Sequence, residues 1–451
     1  MELQGKNILV VGLGISGAAA ARFCAARGAA VTVNDARPAE ELAAQLEQLA
    51  PLGVQARLGG HPSALFTASD LIILSPGVPA NIEPLRQARD AGVPVLAEVE
   101  LAGRFLSDRI IGITGSNGKS TTTALTAHLL RAAGLDAVAC GNIGCALIDL
   151  VGSSSPERFL AVELSSFQLE TIERFRPDVA TVLNITPDHM DRYADFEAYL
   201  QAKLRLLANQ TAGDLAVVNF DEEHAERIAG TTNARIVHYS LERELEGGVF
   251  LAKGLITSSL SGSAIPILPA AEMTIPGPHN LANALAATAI ALLCGAQPER
   301  VAEGLRRFRG LEHRLEPVAQ IGGVSFVNDS KATNVDAAGV ALRSFAKPIV
   351  AIMGGRDKAG DFAPLRALVS ANVRELVLVG EAADKIGQAL DGCAPRRRAD
   401  SMRDAVRCAF EAARPGDVVL LAPACTSFDW YSSFEERGRD FKQWVRRLAD
   451  E

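Results

Sequence analysis

The segment Gly115-Ser116-Asn117-Gly118-Lys119-Ser120-Thr121 concentrates the residue types that handle phosphate. Its two glycines open backbone conformations closed to other residues, so successive N–H groups can turn toward one anion. An apolar run precedes the segment and a helical pattern follows it, which sets the loop at a helix N-terminus, where negative charge is favoured. Lys119 could then sit on the β- and γ-phosphates of a nucleotide, and Ser120 could ligate Mg2+. The strict pattern G-x-x-x-x-G-K-[ST] asks for glycine at 113, where Ile113 stands beside Gly112. The steric logic survives this miss, because Gly115 and Gly118 supply the permissive positions. A glycine turn that merely caps a helix is the plainer alternative; the lysine and the hydroxyls that follow weigh against it.

A second glycine turn, Gly12-Leu13-Gly14-Ile15-Ser16-Gly17, is a literal G-x-G-x-x-G between a strand and a helix, with Asp35 at the end of the next strand. Taken alone this is an NAD fingerprint and suggests a dehydrogenase. Nothing in the geometry reads a base, however, and a UDP-sugar offers the same pyrophosphate and ribose. A dehydrogenase would also need a catalytic domain next, yet the next segment is another phosphate site. Two further groups fall at carboxyl ends of strands, where open α/β sheets bind ligands: Glu163, and His189 within Asp188-His189-Met190-Asp191. Either could be a structural residue. Their shared placement makes a metal site an equal alternative. A P-loop switch or motor would use the phosphate loop but leave the first glycine turn without a role.

The elements that must position these groups follow from pattern. At 451 residues the chain exceeds one core, and two to four domains are expected. Short β-branched runs alternate with helical stretches, which predicts parallel sheets. Strands are expected at 7–11, 30–34 and 71–74, with a helix over 18–26. The next segment should hold strands at 109–114, 159–163, 179–184 and 215–219. Its helices should span 119–133, 196–208 and 281–293, with a small antiparallel insert between 235 and 275. Strands at 324–328, 349–353, 376–379 and 418–421 complete a third open sheet. The boundaries expected are 1–97, 98–309 and 310–451: an N-terminal Rossmann-like domain, a central P-loop-type ATPase domain with the insert, and a C-terminal Rossmann-like domain.

Bulk features exclude several classes. The net charge of -8 and the lack of a basic stripe argue against nucleic acid, and Arg396-Arg397-Arg398 reads as a solvated loop. Seven cysteines without a CxxC pair suggest a reducing compartment. Met1 to Gly5 lack a basic region followed by an apolar core, so no signal peptide is expected, and the weakly charged stretch 281–297 is shorter than the ~20 residues a spanning helix needs. A cytoplasmic protein without membrane insertion is expected.

Beyond the glycine loops, several blocks resemble the Mur ligases of bacterial cell-wall synthesis. They are Thr114 to Thr121, Glu163-Leu164-Ser165-Ser166-Phe167-Gln168-Leu169, Asp188-His189-Met190-Asp191-Arg192-Tyr193, Gly277-Pro278-His279-Asn280, Leu311-Glu312-His313-Arg314 and Asn328-Asp329-Ser330-Lys331-Ala332-Thr333-Asn334. Ala422 to Asp429 and Phe434 to Gly438 resemble the branch that adds D-glutamate to UDP-N-acetylmuramoyl-L-alanine, and the Asp-Asn-Pro-Arg motif of the diaminopimelate-adding branch is absent. A folate-chain ligase of the same superfamily would not need the first glycine turn.

The resemblance implies an ADP-forming amide ligase working through an acyl phosphate, with ATP, two Mg2+ ions and CO2 held as a lysine carbamate. It implies ATP contacts at Gly115, Ser116, Asn117, Gly118, Lys119, Ser120, Thr121, Asn280, Asn283, Arg314 and Asp329. Ser120 and Glu163 would hold one magnesium, His189 and carbamylated Lys203 the other. Without the family match Lys203 reads as a solvated lysine on a helix face. The UDP substrate would meet Gly14, Ile15, Ser16, Asp35, Ala36, Arg37, Ser75, Gly77 and Asn142, and D-glutamate would meet Lys331, Thr333, Lys358, Ser427, Phe428 and Phe434. A monomer that closes its domains for turnover is the implied working form.

Overall fold

Inner strands of Val, Ile and Leu, buried on both faces, form the centres of three sheets in a computed structural model that describes residues 1–189, 192–275, 277–357 and 360–450. The first sheet is wholly parallel, in the order Gln55–Leu58, Ala30–Asp35, Asn7–Val11, Leu71–Leu74, Val95–Ala97. Strand order reverses at Asn7–Val11, so the turns after Val11 and after Leu74 leave the sheet in opposite directions and open a crevice between them. The helix after Val11 begins at Ile15, three residues before the pattern suggested, because Gly14 adopts the extended N-cap conformation. Ile15 and Ser16 therefore belong to the first helical turn.

The central sheet has nine strands. Arg109–Thr114 lies between Phe159–Glu163 and Val179–Val182, all parallel, and the order reverses at this strand too. The region expected as an antiparallel insert continues this sheet: Arg235–Ser240 pairs parallel with Leu215–Asn219, and antiparallel pairing begins only with Val249–Ala252 and Leu255–Ser258. Val179–Val182 ends two residues early, which frees Leu183 to Thr186 to clasp the phosphate loop. The helix Pro278–Leu293 starts three residues early; proline suits a first helical position, where its missing N–H is no loss.

The third sheet is parallel from Val324–Asn328 through Val418–Leu421, Ile349–Gly354 and Val373–Val379, with Glu316–Ile321 antiparallel at one edge. Its other edge corrects an expectation. Arg396–Arg398 is a strand paired with Leu376–Leu378, not a loop. Its arginines meet Asp391, Glu375 and Asp384, so the run is neutralised, and three long charged side chains blunt an otherwise open edge. No helix of the described residues is long and apolar enough to cross a membrane.

The chain divides into two compact units, 1–273 with 278–308, and 274–277 with 309–451. Within the first, one apolar cluster runs from Leu3 through Leu101 to Ala234 and so joins the first two sheets. Glu100 on the helix Glu98–Gly103 locks this junction. Its Oε2 accepts N–H bonds from Glu173, Arg174 and Phe175 at 2.8–3.0 Å, and its Oε1 accepts from Arg104 Nε at 2.7 Å. Glu100→Ala leaves three N–H groups without this acceptor, that of Phe175 buried and those of Glu173 and Arg174 partly so, and at roughly 1.5–3 kcal/mol per bond to a charged acceptor, discounted for relaxation and solvent access, about 3 kcal/mol of stability should be lost. Chemical denaturation measures it; a loss below about 1 kcal/mol would show that water replaces the carboxylate.

Candidate active site

The phosphate loop is clamped from the neighbouring strand ends. Ser116 N donates to Asn184 O at 2.9 Å, Asn117 N donates to Asn184 Oδ1 at 2.8 Å, and Asn184 Nδ2 returns a bond to Asn117 O at 3.0 Å. Ser116 Oγ meets Tyr199 OH at 2.9 Å and accepts from Thr186 N at 3.0 Å. Gly115 has φ 149° and Gly118 φ 83°, values at which a side chain is strained. A Cβ on Gly118 would lie 2.3 Å from Asn283 Oδ1, on the helix packed across the loop. Gly118→Ala should therefore cost about 1–3 kcal/mol in backbone strain, push Asn283 aside and remove the thermal shift caused by Mg·ADP. Retention of that shift would show that the loop does not need this backbone path.

Two lysines converge at the loop mouth. Lys119 Nζ donates to Gly115 O and Ser116 O, each at 2.9 Å, and Lys203 Nζ donates to the same Gly115 O at 2.7 Å. Lys203 is 1% exposed. Burial first, then the Lys119 charge, push its ammonium down to about 6 against the pull of Asp188 and Glu163. Lys203 is thus no solvated lysine, and four charged groups expected from separate blocks influence one another here.

Glu163 is buried at the end of its strand. Asn142 Nδ2 donates to its Oε1 at 2.8 Å, while Oε2 has no partner among the described residues. Asn142, expected at the muramoyl substrate, here orients this carboxylate. His189 adopts the left-handed region with φ 56°, its N–H bonded to Asp188 Oδ1 and its ring 4.8 Å from that of Phe167. Tyr199, which touches Ser116, lies 6.4 Å from the same ring. Ser120 is buried in the first turn after the loop, and Asn280 and Asn283 are buried together on one helix face, 3.4 Å apart.

At the crevice of the first sheet, Asp35 holds the glycine turn. It accepts from Leu13 N at 2.7 Å and is gripped by Arg37 through Nε and Nη2 at 3.0 and 2.8 Å. Burial raises this carboxyl, yet the bonds from Arg37 and Leu13 hold it down at about 2. With both oxygens engaged, Asp35 acts as a brace, and Arg37 and Ile15, 78% exposed, face outward. Ser75 is buried beside Gly12, with Gly77 two residues on and Ala36 exposed.

In the second unit, Asp329 directly follows the strand Val324–Asn328 and accepts from Leu315 N at 3.1 Å. Burial lifts it to about 6 in spite of that bond and the nearby Arg314 and Lys331. Lys331 lies over the Phe434 ring at 5.8 Å, Thr333 N donates to Lys331 O, Ser427 is buried, and Phe428 is 57% exposed. Lys358 lies outside the described residues. Buried Arg437 donates to Ser330 O, Cys425 O and Thr426 O and fastens this corner. Pattern reading missed Arg437, Asn184 and Tyr199 as site-builders. Asn184 had a signal, a polar residue at a strand's carboxyl end; Arg437 had only its place in the block Phe434 to Gly438.

Residues 6–97 match the model of the Mur ligase MurD-like N-terminal domain, 113–291 that of the Mur ligase middle domain, and 313–425 that of the Mur ligase glutamate ligase domain. A UDP-N-acetylmuramoylalanine–D-glutamate ligase of Acidobacterium capsulatum is 48% identical, over 99% of this chain and 97% of that one. The chain belongs to the Mur ligase family. The relative of that name from Geotalea daltonii is 45% identical across 100% of this chain and 99% of its own length. Mur ligase folds align throughout: UDP-N-acetylmuramate-alanine ligase of Thermotoga maritima gives a TM-score of 0.60 at 20% identity, over 98% of this chain and 100% of that one. MurF of Acinetobacter baumannii gives 0.59 at 18%, over 96% and 93%. These two likenesses speak for the fold alone.

Mur ligases are ATP-dependent and generally require Mg2+. The donor set of this Mur ligase fits such an ion. A buried carboxylate oxygen without a partner, at Glu163, is costly unless a cation or donor meets it, and hard oxygen donors are what Mg2+ prefers. Ser120 offers a hydroxyl at the adjoining helix N-terminus.

Proposed function

We propose that this Mur ligase adds D-glutamate to UDP-N-acetylmuramoyl-L-alanine, forming ADP and phosphate. End-to-end identity of 48% with a relative bearing that activity's name carries the reading, since it covers all three sheets and every site block. On this reading residues 1–97 take the UDP substrate, 98–309 take ATP and 310–451 take the amino acid. The L-alanine carboxylate attacks the γ-phosphorus, ADP leaves, and the D-glutamate amine then displaces phosphate from the acyl carbon.

The first step brings two anions together, so positioned cations dominate it. Lys119 swings from the loop carbonyls to the β- and γ-phosphates, and the loop N–H groups hold their oxygens. Magnesium, when bound, neutralises the phosphate oxygens; Ser120 and Glu163 would hold one ion, His189 and Lys203 the other. Lys203 would serve there as a carbamate: its neutral amine would take up CO2 through an N–C bond, with loss of one proton, and so supply oxygen ligands. Its burial supports this role, because an amine held uncharged near neutral pH is nucleophilic.

Asn280 and Asn283 face the adenine, and Arg314 and Asp329 the phosphates and ribose. Gly14, Ile15, Ser16, Ala36, Arg37, Ser75, Gly77 and Asn142 line the UDP substrate, with Asp35 bracing its turn. Lys331, Thr333, Lys358, Ser427, Phe428 and Phe434 receive D-glutamate, whose two carboxylates suit cations and hydroxyls. The enzyme works as a cytoplasmic monomer. A phosphate-release assay decides the reading: release should require ATP, UDP-N-acetylmuramoyl-L-alanine and D-glutamate together. Equal release with another amino acid, or with none, would overturn it.

A further inference from the structure

Arg192 joins two places that the proposed reaction must use together. Its side chain, 16% exposed, donates through Nη1 to Pro76 O at 2.8 Å and through Nη2 to Val78 O at 3.3 Å. Those carbonyls belong to the turn after Leu71–Leu74, which packs directly on the first glycine turn. A Cβ on Gly12 would lie 2.7 Å from Ser75 Cβ and 2.8 Å from Val78 Cγ2, so neither turn can shift without the other. The guanidinium carbon also lies over Phe167, 3.7 Å from the ring centre, and Phe167 lies against the His189 ring at 4.8 Å. Arg192 N and Tyr193 N both donate to His189 O, and Tyr193 OH is anchored to Glu170 Oε1 at 2.6 Å. Close-packed contacts of this kind transmit displacement, because interiors have few voids to absorb it.

We propose that Arg192 is a positioning residue that ties the diphosphate-facing turns of the first sheet to the His189 turn of the central sheet. The inference rests on the functional reading above and adds to it a coupling between the UDP-substrate pocket and the metal-facing turn. Arg192 also pairs with Glu170 Oε2 at 3.5 Å, and only a guanidinium can donate to two carbonyls and this carboxylate while lying over a ring. Lysine would keep the charge and lose the geometry.

Titration calorimetry with UDP-N-acetylmuramoyl-L-alanine and, separately, with Mg·ADP tests this. Arg192→Met should weaken the UDP substrate about tenfold, leave Mg·ADP within about twofold, and raise the Mg2+ concentration for half-maximal turnover several-fold. Arg192→Lys should behave like Arg192→Met, and it carries the same comparison should the methionine variant melt early. Unchanged binding of the UDP substrate in both variants would overturn the proposal. So would an equal loss of both ligands, which is what a merely structural residue produces. Failure of the wild-type protein to bind the UDP substrate would overturn the functional reading, and the proposal with it.

Discussion

Lys119→Ala should lower ATP-dependent phosphate release by about 10²–10³-fold, the range seen when one preorganised donor to developing charge is removed. Lys119 is half-buried at the loop mouth, where its ammonium donates to the loop carbonyls Gly115 O and Ser116 O. Water can satisfy those carbonyls in its place, so the fold should persist. Ground-state binding should suffer less than turnover. A charge-assisted bond is worth roughly 1.5–3 kcal/mol, which weakens Mg·ATP about 10–100-fold. Steady-state phosphate release and calorimetric Mg·ATP binding separate the two effects. Turnover within a few-fold of wild type would remove the loop from the chemistry.

Lys203→Met should act in opposite directions on stability and activity. The amine is buried, donates to Gly115 O, and feels the charge of Lys119. Replacing it with an apolar chain of similar length relieves that desolvation, by analogy with buried ion pairs exchanged for hydrophobic residues, worth about 1–4 kcal/mol. The pH dependence has a definite sign. The amine titrates near 6 in the folded protein and at its ordinary 10.5 in the unfolded chain, so between those values the unfolded chain binds more protons. The penalty from Lys203 is complete below about pH 6 and fades as pH rises toward 10.5. The methionine variant should therefore gain most over wild type in acid and little in alkali.

Turnover of the variant should fall below detection. Wild-type turnover should drop in CO2-depleted buffer and return with bicarbonate, to which the variant is indifferent. Melting curves across pH and a bicarbonate rescue assay make the comparison. Full wild-type activity in rigorously CO2-free buffer would eliminate the carbamate role.

Much of this protein is written locally. Asn7–Val11, Arg109–Thr114, Phe159–Glu163 and Val418–Leu421 emerge at the expected residues because each is a β-branched or leucine run closed by glycine, proline or a polar residue. Such runs carry their own signal, since both faces are buried in a parallel sheet. The phosphate loop is legible for the same reason: glycine tolerance and helix polarity are properties of adjacent residues. The helices at Ile15 and Pro278 start three residues before the apolar pattern, because the extended N-cap Gly14 and a proline at the first helical position outweigh it.

What a sequence by itself determined here is therefore the inventory: three sheets, two glycine turns, a lysine aimed at phosphate, and carboxylates at strand ends. Tertiary structure alone decided how those groups are charged and held. Lys203 looks solvated on a helix face until packing against the loop buries it, and Asp35 looks free until Leu13 and Arg37 occupy both its oxygens. Asn142 turned out to orient Glu163 across 21 residues of chain. Arg397, expected in a loop, became part of a sheet edge. Desolvation and hydrogen-bond partnership depend on groups distant in sequence, so no local pattern encodes them. The phosphate loop was visible from its own residues, whereas the buried amine beside it and the braces around it exist only once the strands have brought them there.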